Sequence, residues 1–201
     1  MDACNAPDSH LDVFVTRAKK ERLLGQRGKV IWMTGLSGSG KTTIAIDFEK
    51  ELYRLGFKTK VFDADFVRAG INKDLSFSIS DRTENIRRVA AISRLFLDAG
   101  MVVVNCFISP TRSIRDMARR IVGAADFLEI YINAPFEVCE ARDPKGLYQM
   151  ARHGQLASFT GIDSPWEAPE APDLVINTHE CSLDDAVEQL VDFVTPKISL
   201  K

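Results

Sequence analysis

The chain has 201 residues, of which 45% are hydrophobic and 27% are charged, and its formal net charge is -2. This balance is typical of one soluble globular domain and gives no general attraction to nucleic acid or to an anionic membrane. The four cysteines lie far apart without a C-x-x-C pair, which disfavours a zinc site or a disulfide framework and fits reduced thiols in the cytoplasm. Because Met1 to His10 lack an apolar stretch and no apolar run reaches about eighteen residues, we expect neither export nor membrane insertion.

Residues 1–15 are predicted to form a flexible polar lead, and residues 16–201 a single folded domain. At the start of that domain, Thr16 to Leu24 has the pattern of a short helix, with Thr16 as its N-cap and Gly25 as its stop. Its basic residues are interpreted as a solvated face, as is usual for charge on a short terminal helix. They are Arg17, Lys19, Lys20 and Arg22.

A glycine-rich loop follows, between a predicted strand from Lys29 to Thr34 and a predicted helix from about Lys41 to Leu55. Gly35 to Thr42 match G-x-x-x-x-G-K-[ST] at every fixed position. The glycines let successive backbone N–H groups turn toward a polyphosphate, and the helix directs its positive end at the same anion. The sequence therefore predicts a nucleotide site, with Lys41 at the β- and γ-phosphates and the Thr42 hydroxyl as a ligand of Mg²⁺.

Two carboxylates follow the second predicted strand, Lys58 to Asp63. Asp63 and Asp65 should therefore lie at the carboxyl edge of the sheet, where open α/β folds bind ligands. The third predicted strand, Met101 to Phe107, carries Asn105 where many proteins with such a loop have an acidic residue. We therefore expect the carboxylate on the metal side to be Asp63 or Asp65.

The rest of the chain alternates between predicted helices and strands, which implies right-handed crossovers and a sheet covered on both faces. Residues 69–81 are interpreted as a loop, and Asp143 to Pro169, rich in Gly, Pro and charged residues, as a functional lid. One predicted helix, Pro110 to Val122, carries Arg112, Arg115, Arg119 and Arg120. The other helices are predicted over Thr83 to Ala99, with Thr83 or Asp81 as N-cap, Pro135 to Arg142 and Ser182 to Val194, and the last strands over Phe127 to Ile132 and Leu174 to Asn177.

Read together, these segments resemble the adenylyl-sulfate kinase family from about Thr16 to Val194. A phosphate-binding loop (P-loop) alone marks a very large superfamily, whereas the last two segments below, with Ile-Ser-Pro upstream, are highly specific. The resemblance rests on Gly35 to Thr43, Asp81 to Arg88, Asp98 to Gly100, Ile108 to Pro110, Arg142 to Tyr148 and Phe159 to Asp163.

This resemblance implies a three-layer α/β P-loop kinase fold, with a mostly parallel five-stranded sheet and a lid at about residues 143–169. It also implies an ATP- and Mg²⁺-dependent enzyme of sulfate assimilation, which transfers the γ-phosphoryl group of ATP to the 3'-hydroxyl of adenylyl sulfate. The product would be 3'-phosphoadenylyl sulfate. The family's tendency toward dimers suggests a homodimer, with no nucleic-acid or membrane partner.

The resemblance also implies roles for individual residues. Asp65 matches an aspartate expected to orient the 3'-hydroxyl and to approach Mg²⁺ together with Thr42, and Lys145 is expected to carry charge toward the transferred group. Ser109, often assigned as a phosphorylated intermediate in such enzymes, is given a hydrogen-bonding role here, because direct in-line transfer needs no covalent step. Cys181 matches a position near the adenine of ATP.

The remaining implied contacts form two sets. ATP is expected to touch the P-loop residues Gly35, Leu36, Ser37, Gly38, Ser39, Gly40, Lys41, Thr42 and Thr43. Adenylyl sulfate is expected to touch Arg68, Arg82 and Asn85 with its phosphosulfate, Phe77 and Phe159 with its adenine, and also Ile108 and Thr160.

The chain departs from the family pattern on the acceptor side. The family's Asp-Gly-Asp-Asn motif is Asp63-Ala64-Asp65-Phe66 here, Ser76 replaces a glycine, and Thr111 and Trp166 are milder changes. Because of Phe66, one alternative remains: a kinase of the same fold that acts on another nucleotide-like acceptor, such as cytidine diphosphoramidate. A non-catalytic nucleotide-binding regulatory protein is the other alternative, which the intact Lys41, Thr42 and Asp65 disfavour.

Overall fold

A parallel five-stranded sheet forms the centre of the computed structural model, which describes residues 14–200; residues 1–13 of the predicted lead lie outside that range. The strand order is β2-β3-β1-β4-β5, and every neighbouring pair is parallel, which confirms the predicted α/β class. The strands are β1 (Val30–Thr34), β2 (Thr59–Asp63), β3 (Val102–Cys106), β4 (Phe127–Asn133) and β5 (Leu174–Asn177).

Helices cover both faces of this sheet, as predicted. They are α1 (Arg17–Leu24), α2 (Lys41–Arg54), α3 (Ala64–Ala69), α4 (Ile79–Asp98), α5 (Arg112–Val122), α6 (Phe136–Arg142), α7 (Leu147–Arg152) and α8 (Leu183–Ile198). Between residues 14 and 200, none of them combines the length and apolar character that a bilayer crossing requires.

The central strand β1 is buried on both faces and separates the two apolar clusters that cover the sheet, while a third, smaller cluster lies under the lid. Ile31 and Met33 pack with apolar side chains of α2 and α8. Val30 and Trp32 point the other way and pack with side chains of α4 and α5. Because successive side chains of a strand face opposite sides, the continuous apolar run of β1 serves both clusters.

The carboxyl ends of the strands meet at one edge of the sheet. β1 ends at Thr34, directly before the P-loop, and Asp63 at the end of β2 lies opposite Cys106 at the end of β3. Ile108 and Ser109 therefore follow β3 at the same edge. This register gathers the P-loop, the acids and the Ile-Ser-Pro segment, as the strand–helix alternation predicts.

The segment between β2 and α4 differs from its prediction. α3 begins immediately after Asp63, and α4 begins at Ile79 rather than Thr83. The N-cap of α4 is Ser78, whose hydroxyl accepts a hydrogen bond from the Asp81 N–H, so the predicted caps Thr83 and Asp81 are wrong. A six-residue helix such as α3 is too short to show a periodic pattern in the sequence.

The remaining corrections are smaller. The predicted lid contains the short helix α7, and the helix predicted to begin at Pro135 uses that residue as its N-cap. α8 continues past Val194 to Ile198 in spite of Pro196, because Val194 and Ile198 are both buried in the core. In α1, Arg17 is not part of a solvated face, since its guanidinium pairs with Glu21 and with the distant Asp126.

Candidate active site

A cleft of about 1030 Å³ opens at the carboxyl edge of the sheet. Of the predicted site residues, only Gly35, Leu36 and Ser39 do not line it. Those that do are Ser37, Gly38, Gly40, Lys41, Thr42, Thr43, Asp65, Arg68, Phe77, Arg82, Asn85, Ile108, Ser109, Lys145, Phe159, Thr160 and Cys181. The structure therefore brings the predicted donor and acceptor residues into one space.

The P-loop wraps one end of the cleft. Gly35 has a φ of 154°, and a Cβ there would lie 2.3 Å from the carbonyl oxygen of Ile132, so the chain can turn this tightly only with glycine. The ammonium group of Lys41 folds back and donates hydrogen bonds to the carbonyl oxygens of Gly35 (2.9 Å) and Leu36 (2.7 Å). Burial lowers the pKa of Lys41 to about 8.

Two acids line the cleft beside the P-loop, and they face different partners. Asp63 accepts a hydrogen bond from the Thr42 hydroxyl through Oδ2 (2.7 Å), and its Oδ1 accepts one from the Asp65 N–H (2.9 Å). The carboxylate of Asp65 instead pairs with Lys145 from the lid. Asp63 is thus the acid beside the P-loop hydroxyl, and Asp65 is the acid beside the lid.

The oxygen atoms of Thr42 and Asp63 suit Mg²⁺, which is usually held by one or two protein oxygens together with substrate phosphates and water. Within residues 14–200, no group of three or more His, Cys, Asp and Glu side chains forms a dedicated metal cage.

Two arginines and an aromatic ring form the opposite wall. The guanidinium carbon of Arg68 lies 4.3 Å from the centre of the Phe77 ring, and its Nη1 donates to the Ser76 carbonyl (3.0 Å). Arg82 donates to the Phe77 carbonyl (2.9 Å) and reaches across to the Thr160 hydroxyl (2.8 Å) on the lid. Burial lowers the pKa of both arginines. Because a guanidinium keeps its proton in proteins, both side chains bring positive charge to the cleft.

Asn85 on α4 is buried and held by a residue that the sequence did not single out. Its Oδ1 accepts a hydrogen bond from the Asn72 side chain (2.9 Å), and Asn72 is itself fully buried. The NH₂ group of Asn85 is therefore the end that remains for a ligand in the cleft. Asn72 lies in the segment interpreted as a loop, which carries no pattern that would have marked it.

Ser109 is buried at the floor of the cleft in an unusual conformation. Its φ of 42° lies in the left-handed region, which among the non-glycine residues of 14–200 only Ser158 shares. The Ser109 hydroxyl accepts a hydrogen bond from the Trp32 indole (3.1 Å) and donates one to the Thr34 hydroxyl (3.1 Å). Both its donor and its acceptor capacity are thus engaged within the protein.

The lid, residues 143–169, contacts both ends of the cleft. The Tyr148 hydroxyl donates to the Ser37 carbonyl of the P-loop (2.9 Å), while Lys145 and Thr160 reach Asp65 and Arg82. The Phe159 ring is buried edge-on against Tyr148, with 4.8 Å between ring centres. These contacts place the lid against both the P-loop and the arginines of the opposite wall.

The comparisons with known proteins agree with this geometry. A family model described as adenylylsulphate kinase matches residues 27–177. The chain belongs to the adenylyl-sulfate kinase family.

Its relatives match over nearly their whole length. The adenylyl-sulfate kinase of Bacteroides fragilis (strain YCH46) is 53% identical over 188 residues, which cover 94% of this chain and 93% of that protein. The enzyme of Clostridium kluyveri is 47% identical over 185 residues, 92% of each chain. Among solved structures, the Mycobacterium tuberculosis APS kinase in complex with AMPPNP and APS aligns with a TM-score of 0.81 at 43% identity, covering 84% of this chain and 98% of that one.

The departures from the adenylyl-sulfate kinase pattern have simple structural outcomes. Phe66 is 86% exposed and does not line the cleft. Ala64 sits in α3, outside the positive-φ region, so no glycine is needed there. Thr111 caps α5, its hydroxyl accepting from the Ile114 N–H, and Trp166 packs near Tyr131.

Sequence reasoning gave no role to Arg142, which lies in one of the segments that carry the resemblance. Its guanidinium donates to the carbonyl (2.7 Å) and hydroxyl (3.0 Å) oxygens of Thr178, and both residues line the cleft beside the P-loop. Thr178 in turn donates to the Ser39 carbonyl (2.8 Å). These contacts join the end of β5 to the P-loop next to Cys181, where the adenine of ATP is expected.

Proposed function

We propose that this protein transfers the γ-phosphoryl group of ATP to the 3'-hydroxyl of adenylyl sulfate, giving 3'-phosphoadenylyl sulfate and ADP. The observation that carries the proposal is the cleft itself, in which Lys41 and Thr42 of the P-loop face Arg68, Arg82 and Asn85. Membership of the adenylyl-sulfate kinase family supports the choice of acceptor.

On the donor side, the P-loop N–H groups and Lys41 would hold the β- and γ-phosphates of ATP. The hydrogen bonds that Lys41 makes to the Gly35 and Leu36 carbonyls keep its ammonium group at the mouth of the loop. An ammonium group in this buried position interacts with phosphate more strongly than one in water, and its charge offsets the charge of the transferred group.

Thr42 and Asp63 would hold Mg²⁺, where the family pattern suggested Thr42 and Asp65. The support is the contact between the Thr42 hydroxyl and the Asp63 carboxylate, whereas Asp65 pairs with Lys145. When bound, Mg²⁺ supplies charge neutralisation at the β- and γ-phosphate oxygens.

On the acceptor side, Asp65 would accept a hydrogen bond from the attacking 3'-hydroxyl, which its exposed carboxylate in the cleft is free to do once Lys145 turns to the phosphoryl group. Arg68, Arg82 and Asn85 would hold the phosphosulfate, because guanidinium forks and amide NH₂ groups match its oxygens. Phe77 and Phe159 would contact the adenine, together with Ile108 and Thr160.

Ser109 would hold the acceptor site in place rather than form a covalent intermediate. Its hydroxyl is buried and already bonded to Trp32 and Thr34, neither of which is a base. A nucleophilic serine needs an adjacent general base to remove its proton. Direct transfer from ATP to the 3'-hydroxyl therefore suits this site better.

The two alternatives lose their support. Phe66 was the reason to consider a cytidine diphosphoramidate-type acceptor, and its ring points away from the cleft. A non-catalytic regulatory protein would have no need of Lys41, Thr42 and two acids in one cleft.

We also propose that the protein works in the cytoplasm, which agrees with the free thiols of Cys106, Cys139 and Cys181. We propose a homodimer in solution, and sedimentation velocity would measure this oligomeric state.

The acceptor can be tested with purified protein and a coupled assay for ADP release. ADP formation should rise with adenylyl sulfate and stay near its background with AMP or with cytidine diphosphate derivatives. Only adenylyl sulfate carries the phosphosulfate group that Arg68 and Arg82 are suited to bind. Chromatography should identify the product as phosphorylated on the 3'-oxygen. Preference for a cytidine acceptor, or no transfer to any acceptor, would reject the proposal.

A further inference from the structure

One arginine of the arginine-rich helix α5 does not lie on the surface. Arg115 is buried, with only 3% of its side chain exposed, and its guanidinium contacts three acceptors. Nε lies 2.8 Å from a carboxylate oxygen of Glu129 on β4. Nη1 donates to the Ser109 carbonyl (2.8 Å), and Nη2 donates to the Glu167 carbonyl (2.8 Å).

These contacts do more than neutralise a buried charge. A buried ion pair such as Arg115–Glu129 adds little to stability compared with apolar side chains of the same volume, so the pair alone does not account for a guanidinium here. The two carbonyl contacts use the fork of the guanidinium, which holds its donors at fixed angles. They join two segments far apart in the chain, at Ser109 and at Glu167.

Each of the two segments matters to the cleft. Ser109 lines the cleft and has a φ of 42°, a backbone region that costs free energy in a non-glycine residue and persists only where the surroundings hold it. Glu167 lies near the end of the lid, where its N–H donates to the Pro110 carbonyl (2.8 Å) and its carboxylate accepts from the Arg112 N–H (2.8 Å). The Arg115 guanidinium also lies 5.7 Å from the centre of the Trp166 ring.

We propose that Arg115 is a positioning residue. Its guanidinium connects the backbone at Ser109, on the floor of the cleft, to the end of the lid at Glu167. We call this connection the tie. Arg115 does not line the cleft, so it acts through these two carbonyls rather than on a substrate. The tie holds the left-handed backbone at Ser109 and fixes the point from which the lid extends over the acceptor. The effect on the acceptor rests on the proposed function, whereas the tie itself does not.

The test compares Arg115→Lys with Arg119→Lys, the same substitution one turn along α5. Arg119 also lies near Glu129 (3.6 Å) and pairs with Asp173 (3.5 Å), but it contacts neither Ser109 nor Glu167. A lysine at 115 keeps the charge beside Glu129 and loses the fork that spans both carbonyls. Should Arg115→Lys fail to fold, Arg115→Met combined with Glu129→Leu replaces the buried pair by apolar groups.

Kinetic and binding measurements should distinguish an effect on the acceptor side of the cleft from an effect on the ATP side. In Arg115→Lys the KM for adenylyl sulfate should rise by about tenfold, the scale expected for the loss of charge-assisted hydrogen bonds, while the dissociation constant of ATP changes less than about twofold. Arg119→Lys should leave both values within about twofold. A purely structural role predicts that both constants worsen together, in step with the loss of thermal stability, and that result would overturn the proposal.

Hydrogen exchange of the free protein tests the tie without any substrate. The backbone amides of Ser109, Thr111, Arg112 and Glu167 should exchange faster in Arg115→Lys and as in the wild type in Arg119→Lys, because Arg115, unlike Arg119, contacts both segments. Unchanged exchange at both segments would contradict the tie. If the wild type failed to phosphorylate adenylyl sulfate, the function would be rejected while the exchange pattern still decided the role of Arg115.

Discussion

Asp63 and Asp65 are two residues apart in the chain, yet their carboxylates face different groups across the cleft. The cause is α3, which starts at Ala64 and makes Asp63 its N-cap, with one carboxylate oxygen on the Asp65 N–H and the other on the Thr42 hydroxyl. The sequence places both acids at the right edge of the sheet but leaves the choice between them open. That choice depends on a helix too short to be read from a pattern.

Replacing Asp65 and replacing Asp63 should impair the reaction in different ways. Asp65→Ala should lower kcat by at least about a hundredfold with little change in ATP binding, because a group that aligns the nucleophile acts mainly in the transition state. Asp63→Asn should instead raise the Mg²⁺ concentration needed for half-maximal rate by about tenfold or more, since it replaces a charged oxygen with a neutral one. Magnesium titrations of both variants at saturating ATP measure the difference.

This pair of variants also contains its own control, since each substitution leaves the other acid in place. Equal magnesium dependence in the two variants would remove the distinction between a metal-side and an acceptor-side acid. Full turnover in Asp65→Ala would exclude Asp65 from aligning the 3'-hydroxyl.

At the scale of elements, the fold is readable wherever a helix or strand has a long apolar pattern or a fixed motif. β1, the P-loop and α2 were predicted almost residue by residue, because the G-x-x-x-x-G-K-[ST] spacing defines both flanks. The predicted start of α4 is too late, since the first turn is mostly polar, its one apolar residue Ile79 is exposed, and only the Ser78–Asp81 cap marks it. Phe66 is turned outward because consecutive helical residues lie about 100° apart, so Asp65 and Arg68 face the cleft and Phe66 does not.

The docking of α1 could not be predicted, because it depends on a contact between residues far apart in the chain. Arg17 on α1 and Lys29 before β1 both pair with Asp126, which precedes β4. Although burial alone would raise it, the hydrogen bonds from Arg17 and Lys29 hold the pKa of the Asp126 carboxyl below its ordinary value of 3.8. Asp126 therefore releases its proton more readily in the folded protein than in the unfolded chain.

This shift predicts a pH dependence of stability. A carboxyl whose pKa is lowered by folding stabilises the protein above its unfolded pKa, and that contribution is lost as the pH falls below about 4. Asp126→Asn should therefore unfold at lower denaturant concentration at pH 7, and its free energy of unfolding should fall less steeply on acidification than that of the wild type. Urea denaturation between pH 7 and pH 3 measures both effects.

The control for this measurement is Asp47→Asn, which removes only an exposed ion pair with Lys50 on α2. It should follow the wild-type curve. Parallel curves for Asp126→Asn and the wild type would show that Asp126 does not anchor α1.

At the scale of the whole molecule, the cleft joins the two halves of the core. The helix α2, which follows the P-loop, belongs to the half that packs with α8, whereas Arg68, Arg82 and Asn85 lie on α3 and α4 in the other half. The lid contacts residues on both sides of the cleft. The Tyr148 hydroxyl donates to the Ser37 carbonyl of the P-loop, and Arg82 donates to the Thr160 hydroxyl of the lid. The family resemblance predicts which residues gather in the cleft. The contacts that set their orientation, such as the hydrogen bond from the Asn72 side chain to Asn85, are visible only in the folded chain.

The central claim is that the cleft holds ATP and adenylyl sulfate head to tail, with the 3'-oxygen aimed at the γ-phosphorus. A crystal structure with a non-hydrolysable ATP analogue and adenylyl sulfate measures this directly. We expect the 3'-oxygen within about 3.5 Å of the γ-phosphorus, in line with the bond that breaks and hydrogen-bonded to Asp65. Adenylyl sulfate bound with its 3'-hydroxyl turned away from the γ-phosphate, or outside the wall formed by Arg68 and Arg82, would contradict the account.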